Sequence, residues 1–187
     1  RLINNRFYFA KGKKHDLLIL SGDIQAMSTV GQYEVADAVL KYVKSVGIEL
    51  IITVGGYSTG KINDQRRIFG AANIKKMLPR FKKYNVVFGE SKGSIVGAAG
   101  LLPALAKLQK IEGICLMGET HGGYVDVVSA KNIVSMLSSF LGFPIDVKKL
   151  EQKAKESEKV LKKIEEEIEK NVIAPYDPSK KGVSYIR

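Results

Sequence analysis

The sequence from Gly93 to Tyr124 reads GSIVGAAGLLPALAKLQK and then IEGICLMGETHGGY. Its first half predicts a helix almost free of charge, and the small residues at 97–100 predict a smooth face that lies flat against a sheet. Gly113 to Met117 is an apolar run bounded by glycines, which predicts a strand buried on both faces. A polar, glycine-rich loop is predicted at the carboxyl end of that strand, where ligands and partners of open α/β sheets usually bind. The residues singled out in this loop are Gly118, Glu119, Thr120, His121 and Gly122.

Apolar and amphipathic stretches alternate along the rest of the chain. We predict strands at Leu2–Ala10, Asp16–Ser21, Glu49–Val54, Ile68–Ala72 and Asn85–Gly89, and helices from Thr29 or Gly31 to Val46, from Asn73 to about Lys82 and from Ser129 to Leu141. Asn73 and Ser129 are expected to cap their helices, and Gly47 and Gly142 to end the two longer ones. The second strand is expected to be buried. This order predicts an α/β fold of three layers, a largely parallel sheet with helices on both faces.

Several short motifs resemble, in the same order, the proteasome assembly chaperone 2 family, particularly its archaeal members. They are Gly22-Asp23-Ile24-Gln25, Gly31-Gln32-Tyr33-Glu34, the stretch IITVGGY at 51–57, and the two central stretches at 93–102 and 113–122. The resemblance covers roughly residues 15–170. It implies an α/β chaperone or adaptor that binds subunits of the proteasome core particle, with no chemistry of its own and no cofactor.

The composition shifts at Asp146, where a charged amphipathic helix is predicted over 146–170. Its apolar positions follow the alternating 3-4 spacing of a heptad seam, at Val147, Leu150, Ala154, Leu161, Ile164 and Ile168. Two interpretations stay open: the helix packs back on its own chain, or it forms a seam with another subunit in a homo-oligomer. The chain thus divides into a body at 1–145, the helical extension, and a tail at 171–187 that we expect to be flexible.

The two ends of the chain are interpreted through the same resemblance. Family members that dock on the proteasome α-ring use a carboxyl-terminal hydrophobic-Tyr-any motif, and this chain ends in Tyr185, Ile186 and Arg187. Its tyrosine is third from the end and not second, so weak docking by the tail alone is expected. The chain begins at Arg1 without methionine or the family's glycine-rich first segment, so we expect the body to lack its amino-terminal part.

Composition and charge narrow the classes of protein. The 187 residues are 45% hydrophobic and 26% charged, as in ordinary globular proteins, and no apolar run reaches the roughly 18–20 residues of a membrane helix. The net charge is +11; residues 148–170 carry +1 and residues 171–187 carry +2, so +8 falls on residues 1–147. Such an excess favours an acidic partner. The single cysteine, Cys115, lies in the buried run, which fits a reducing cytoplasm.

Glu119 and His121 form the candidate catalytic pair, because a carboxylate and an imidazole on a glycine-rich loop can serve acid–base chemistry. The sequence has no Gly-x-Ser-x-Gly nucleophile elbow, and the alternative is that both residues hold a loop or subunit contact. An enzyme of the nucleoside-phosphorylase or hydrolase type would combine them with the Gly89–Gly93 loop. That loop lacks the phosphate-binding spacing Gly-x-x-x-x-Gly-Lys-Ser/Thr, so we favour a non-enzymatic protein.

The densest basic segment contains Arg66, Arg67, Lys75, Lys76, Arg80, Lys82 and Lys83. Nucleic-acid binding usually interleaves aromatic residues or a groove-reading motif, and this segment offers only Phe81 and Tyr84. A nucleic-acid-binding protein is therefore the second alternative, behind a solvated basic face and an acidic protein partner. The two histidines and the cysteine are too scattered for metal-ligand spacing, so no metal is expected.

Overall fold

The computed structural model describes residues 2–61, 63–89, 94–156 and 160. Its strands are β1 (Asn5–Ala10), β2 (Leu17–Gly22), β3 (Leu50–Ser58), β4 (Ile68–Ala72), β5 (Val86–Phe88) and β6 (Glu112–Thr120). Its helices are α1 (Thr29–Ser45), α2 (Leu78–Lys82), α3 (Ala98–Ala106), α4 (Val127–Leu141) and α5 (148–156), with short 3₁₀ turns at Lys75–Met77 and Lys107–Gln109. In this part of the chain no helix has the length and apolar character needed to cross a membrane.

The main sheet has four strands in the order β3-β6-β4-β5. β3 pairs with β6 in parallel over nine residues, and β4 pairs with β5 in parallel. β4 runs antiparallel to β6, with Ile68 opposite Gly118 and Ala72 opposite Ile114. The predicted α/β fold with a mostly parallel sheet is confirmed, and the reversed pairing at its centre is a feature the sequence pattern did not indicate.

The first two strands form a separate antiparallel hairpin, with Phe7 opposite Leu20. The prediction that the second strand is buried was wrong, because Ile19 is 46% exposed. Leu18 packs on the cluster between α1 and α3, and Phe7 stacks on Tyr42 of α1 with 4.7 Å between ring centroids. Only one side of the hairpin is therefore covered. An apolar run in the sequence does not by itself show whether one face of a strand is buried or both.

Strand β6 separates the two helical layers. Ile114 and Leu116 point into a core formed with side chains of α2 and α4, including Phe81 and Ile133. The alternate residues, Cys115 and Met117, join a second cluster with side chains that include Phe69 and Ala99. Burial raises the pKa of the Cys115 thiol, so the thiol stays protonated as part of the core. Helices thus cover both faces of the sheet, as predicted.

The close approach of α3 to the sheet depends on a different glycine from those predicted. Helix α3 begins at Ala98, and Gly97 precedes it with φ of +78°, beside Gln25. A Cβ on Gly113 would stand 2.8 Å from Cα of Pro103, so α3 touches the backbone of β6 there. On β3, a Cβ on Gly55 would meet the Ala99 methyl group at an ordinary 3.7 Å. The small helical face therefore packs as expected at Ala99 but not at Gly97.

Two predicted helix ends are observed and two predicted caps are not. Gly47 and Gly142 have positive φ just after α1 and α4, as a helix end requires. Asp126 caps α4 and accepts a hydrogen bond from the Ser129 amide, so Ser129 was the wrong cap. The Asn73 side chain instead donates to the Pro103 and Ile111 carbonyls and accepts from Gly113. Asparagine binds any nearby backbone group in this way, which is why its sequence position alone misled.

Replacing Gly113 by alanine tests the α3–β6 contact. The added Cβ would meet the Pro103 backbone, which cannot swing aside, so we expect a loss of about 1–3 kcal/mol in unfolding free energy. Tm should fall by roughly 3–10 °C in a calorimetric scan. The control is Gly55→Ala, which has room for its methyl group and should leave Tm nearly unchanged. Equal Tm values for the two variants would contradict this packing.

Candidate functional site

The predicted loop begins later than the sequence suggested. Gly118, Glu119 and Thr120 belong to β6, which keeps its pairing with β3 as far as Ser58 opposite Thr120. The Glu119 amide also donates to the Arg67 carbonyl at 2.8 Å, so the strand is held on both sides. The loop itself starts at His121. The polar residues 118–120 were predicted to lie in the loop because local sequence does not show pairing with distant strands.

The Glu119 carboxylate is buried at the end of β6 and bound by the segment that leads into β4. One oxygen accepts from the Arg67 amide at 3.1 Å, from Arg67 Nε at 3.2 Å and from Asn63 Nδ2 at 3.3 Å. The other accepts from Arg67 Nη2 at 3.2 Å. Hydrogen bonds from Arg67 therefore lower the pKa of Glu119, against the opposing effect of burial. This carboxylate is an ionised structural anchor.

A second ion pair lies next to the first and is buried on both sides. Arg66 Nε donates to Asp126 Oδ2 at 2.9 Å, and both side chains are only 4% exposed. Burial opposes the charge of Arg66, but the hydrogen bond and charge of Asp126 raise its pKa overall. Arg66 has φ of +41° and also donates to the Asn63 carbonyl. Since Asp126 caps α4, this pair fixes the start of α4 to the segment before β4.

The loop after β6 is short and held at several points. Ser58 Oγ donates to the His121 carbonyl at 2.8 Å, and the His121 ring stacks on Tyr124 at 5.6 Å between centroids. His121 Nδ1 accepts from the Gly123 amide at 3.3 Å. Gly122 has φ of +92°, and a Cβ there would collide with Ser58 Oγ, so only glycine suits this turn. Beyond it Val125 is 85% exposed.

This geometry does not bring the predicted acid–base pair into a working arrangement. The Glu119 oxygens accept hydrogen bonds from Arg67 and Asn63. His121 Nδ1 accepts a hydrogen bond from the backbone amide of Gly123 in its own loop. A carboxylate with a lowered pKa is also a poor proton carrier near neutral pH. The Gly89–Gly93 loop lies outside the described residues from 90 to 93. Within 2–61, 63–89 and 94–156 no group of three or more His, Cys, Asp or Glu could hold a metal ion.

Sequence reasoning missed the residues that organise this site, namely Asn63, Arg66, Arg67 and Asp126. Arg66 and Arg67 were placed in a basic segment expected to form a solvated face, but Arg66 is 4% exposed and both arginines are paired with acids. A signal was present: two adjacent arginines stand directly before an apolar strand, where burial requires acidic partners. Glu119 and Asp126, flanking the glycine loop, were the available acids.

The first part of the helical extension packs on the body. Val147 and Leu150 are half-buried and Ala154 is 5% exposed. A shallow cleft between α4 and α5 is lined by Val128, Lys131, Glu151, Ala154 and Lys155, so α5 runs back along α4. The other predicted seam residues, Leu161, Ile164 and Ile168, lie outside the described residues, as do Tyr185, Ile186 and Arg187. A seam with another subunit therefore stays a prediction.

Comparison with known proteins places this α/β fold and its motifs in a family. A sequence model of the PAC2 family matches residues 1–165. The chain belongs to this family. An uncharacterized protein of Methanocaldococcus jannaschii is 34% identical over 182 residues, which span 96% of this chain and 70% of the relative. The resemblance drawn from the motif order is confirmed, including its archaeal character.

Two solved structures from Pyrococcus furiosus share the fold and a substantial part of the sequence. PbaB, described as an archaeal proteasome activator, has a TM-score of 0.80 and 36% identity over 88% of this chain and 72% of its own. PbaA, described as an archaeal homolog of proteasome-assembly chaperone, has a TM-score of 0.73 and 28% identity over 89% of this chain and 68% of its own. This chain therefore has the architecture of these proteins over nearly all of its length.

The Glu119 anchor predicts a specific dependence of stability on pH. The folded pKa of Glu119 lies below its unfolded value, so its stabilisation is complete above the unfolded pKa and disappears as pH falls through the folded pKa. Glu119→Gln should lower the unfolding free energy near pH 7 by about 1–2 kcal/mol, since Arg67 is partly exposed to water. Urea unfolding from pH 7 to about pH 2 measures both effects.

The matched control for this prediction is Glu112→Gln. Glu112 also has a lowered pKa, first through its hydrogen bond to Lys76, but its cationic partners are more exposed and the loss should be smaller. A stability difference between wild type and Glu119→Gln that stays constant over the whole pH range would contradict the anchoring role.

Proposed function

We propose that this chain is a non-enzymatic chaperone or adaptor of the proteasome core particle, acting in the cytoplasm. The observation that carries the proposal is the similarity to PbaB, an archaeal proteasome activator, at 36% identity and a TM-score of 0.80 over 88% of the chain. The similarity to PbaA, a homolog of proteasome-assembly chaperone, supports the same class of partner. Members of one family with this degree of likeness usually share the kind of protein they bind.

The site itself supports binding in preference to catalysis. Both arginines before β4 are paired with acids, Arg66 with Asp126 and Arg67 with Glu119, and these pairs hold backbone segments in place. The parts of this site that face the solvent are the loop that begins at His121, the Val125 side chain and part of Arg67. A rigid loop with one exposed apolar side chain offers shape and contact area, which are the requirements of a protein interface.

We propose the α-ring as the docking surface and the carboxyl-terminal tail as one of the docking elements. The described part of α5 ends beside the start of α4, because Ala154 and Lys155 line the same cleft as Val128. The start of α4 is also the edge of the sheet that carries the His121 loop. The order of the chain therefore allows the tail and this loop to reach the same partner.

The direct experiment is a pull-down of archaeal proteasome α and β subunits with the full chain. Retention of α subunits supports docking on the α-ring, and retention of β subunits alone would move the contact to another part of the core particle. Retention of neither overturns the proposed function. Phosphate-dependent cleavage of a nucleoside panel, abolished by His121→Ala, would replace the proposal by the enzyme alternative.

Replacing apolar seam residues tests whether the chain forms a homo-oligomer. Leu161→Lys with Ile164→Lys puts two charges into the predicted heptad seam, where burial of charge is costly, so the mass in sedimentation equilibrium should fall. The control, Lys162→Ala with Lys163→Ala, changes neighbouring positions outside the predicted seam and should keep the mass. An unchanged mass in the first variant would mean that the helix contacts only its own chain.

The tail can be tested in both directions. Deleting Tyr185 to Arg187 should weaken α-ring binding several-fold in a titration, since the terminal residues and carboxylate are removed. Ile186→Tyr places tyrosine second from the end, in the register of docking family members, and should strengthen binding. Ser184→Ala is the control, with no change expected. If neither of the first two changes alters binding, the body makes the contact, and added salt should then weaken it.

A further inference from the structure

Six exposed cationic side chains gather at the amino end of β6, opposite the edge that carries the His121 loop. This basic edge consists of Lys44, Lys75, Lys76, Arg80, Lys107 and Lys110. The acids at the same place are Glu49, just before β3, and Glu112, the first residue of β6. Six cations against two carboxylates leave a clear positive excess at one edge of the sheet.

Contacts on the surface connect these residues into one patch. Lys44 Nζ at the end of α1 donates to Gln109 Oε1 at 2.7 Å, which brings α1 beside the 3₁₀ turn at Lys107–Gln109. Glu112 accepts from Lys76 at 2.8 Å and from Arg80 at 2.6 Å, which brings the 75–80 segment to the same strand end. The Glu112 amide donates to the Glu49 carbonyl at 3.0 Å. The patch is therefore continuous from α1 across β6 to α2.

An apolar side chain stands in the middle of this positive surface. Leu108 is 78% exposed and lies between Lys107 and Lys110. Val46, two residues after Lys44, is 50% exposed. A large aliphatic side chain surrounded by lysines has the composition of a small protein interface, with an apolar centre and a charged rim.

The backbone at Lys110 is unusual for a residue that carries a side chain. Lys110 has φ of +60°, in the left-handed region that normally takes glycine after a helical turn. A lysine there strains the backbone, and glycine would relieve the strain.

We propose that the basic edge docks an acidic polypeptide segment that carries an apolar side chain for the Leu108 region. The nearby aromatic rings favour a polypeptide over nucleic acid, because Phe81 is fully buried and stacks on Phe140, and Tyr84 also packs on Phe140. No ring is left in α2 for stacking on bases. This docking surface is distinct from the tail and the His121 loop and does not depend on the partner proposed for them.

Fluorescence anisotropy with the full chain tests this surface. The probe is a labelled short peptide of alternating glutamate and leucine, compared with a peptide in which serine replaces leucine. Lys107→Glu with Lys110→Glu should weaken binding about tenfold, because exposed charges steer and hold an oppositely charged partner. The control, Lys153→Glu with Lys155→Glu, makes the same change in net charge on α5, where Lys155 lies beside the start of α4, and should weaken binding less than about twofold. Raising sodium chloride to about 0.3 M should weaken wild-type binding strongly.

Several outcomes would overturn the proposal. The first is no binding of the glutamate–leucine peptide, and the second is equal weakening by both charge-reversal variants. A third is tighter binding of a thymidine oligonucleotide or of vesicles containing phosphatidylserine, lost in the Lys107 and Lys110 variant. Lys110→Gly distinguishes the loss of a charge from a loss of stability. It should weaken peptide binding because the charge is removed, and it should raise or preserve Tm because glycine suits the left-handed backbone.

Discussion

Strand β6 is hydrogen-bonded along both edges and covered on both faces, and every other layer is positioned by it. Residues 113–119 are all buried, with β3 on one side and β4 on the other. Two glycines set the distances to the helices: Gly113 lies against Pro103 of α3, and Gly118 lies against Ser129 of α4. A Cβ at Gly113 would meet the Pro103 backbone, which cannot move aside, whereas a Cβ at Gly118 would stand 2.1 Å from Ser129 Oγ and would force that hydroxyl to turn away.

The polar chemistry at the carboxyl end of β6 follows from this double coverage. A strand that ends beneath α4 buries Glu119, and a buried carboxylate needs a cation and hydrogen bonds. Arg67 supplies both, while Arg66 does the same for Asp126 at the start of α4. The Arg66–Asp126 pair is buried on both sides, so removal of either partner would leave an uncompensated charge in the interior. Glu119, which resembles a catalytic acid in the sequence, thus serves with Asp126 to join β6, β4 and α4.

The sequence predicted those features of the fold that depend on residues close together in the chain. The burial of Gly113–Met117 could be predicted because a run of apolar residues between glycines has few other uses, and the order of the glycine motifs indicated the family. The antiparallel pairing of β4 with β6 could not, since periodicity shows which face is buried but not which way a strand runs. Glu119 was placed in a loop for a related reason. Its strand conformation depends on Arg67 and on β3, and neither is near it in sequence.

The pairing of charges at one edge also explains where the positive excess of the body can lie. Residues 1–147 carry +8, yet Arg66 and Arg67 are matched by Asp126 and Glu119 at the carboxyl end of β6. These two pairs add nothing to the excess, and Val125 is exposed at the same edge. Exposed lysines lie instead at the amino end, around Glu112, whose carboxylate pairs with Lys76 and Arg80. A partner that docked on the amino edge would be drawn there by charge, and added salt would weaken that contact.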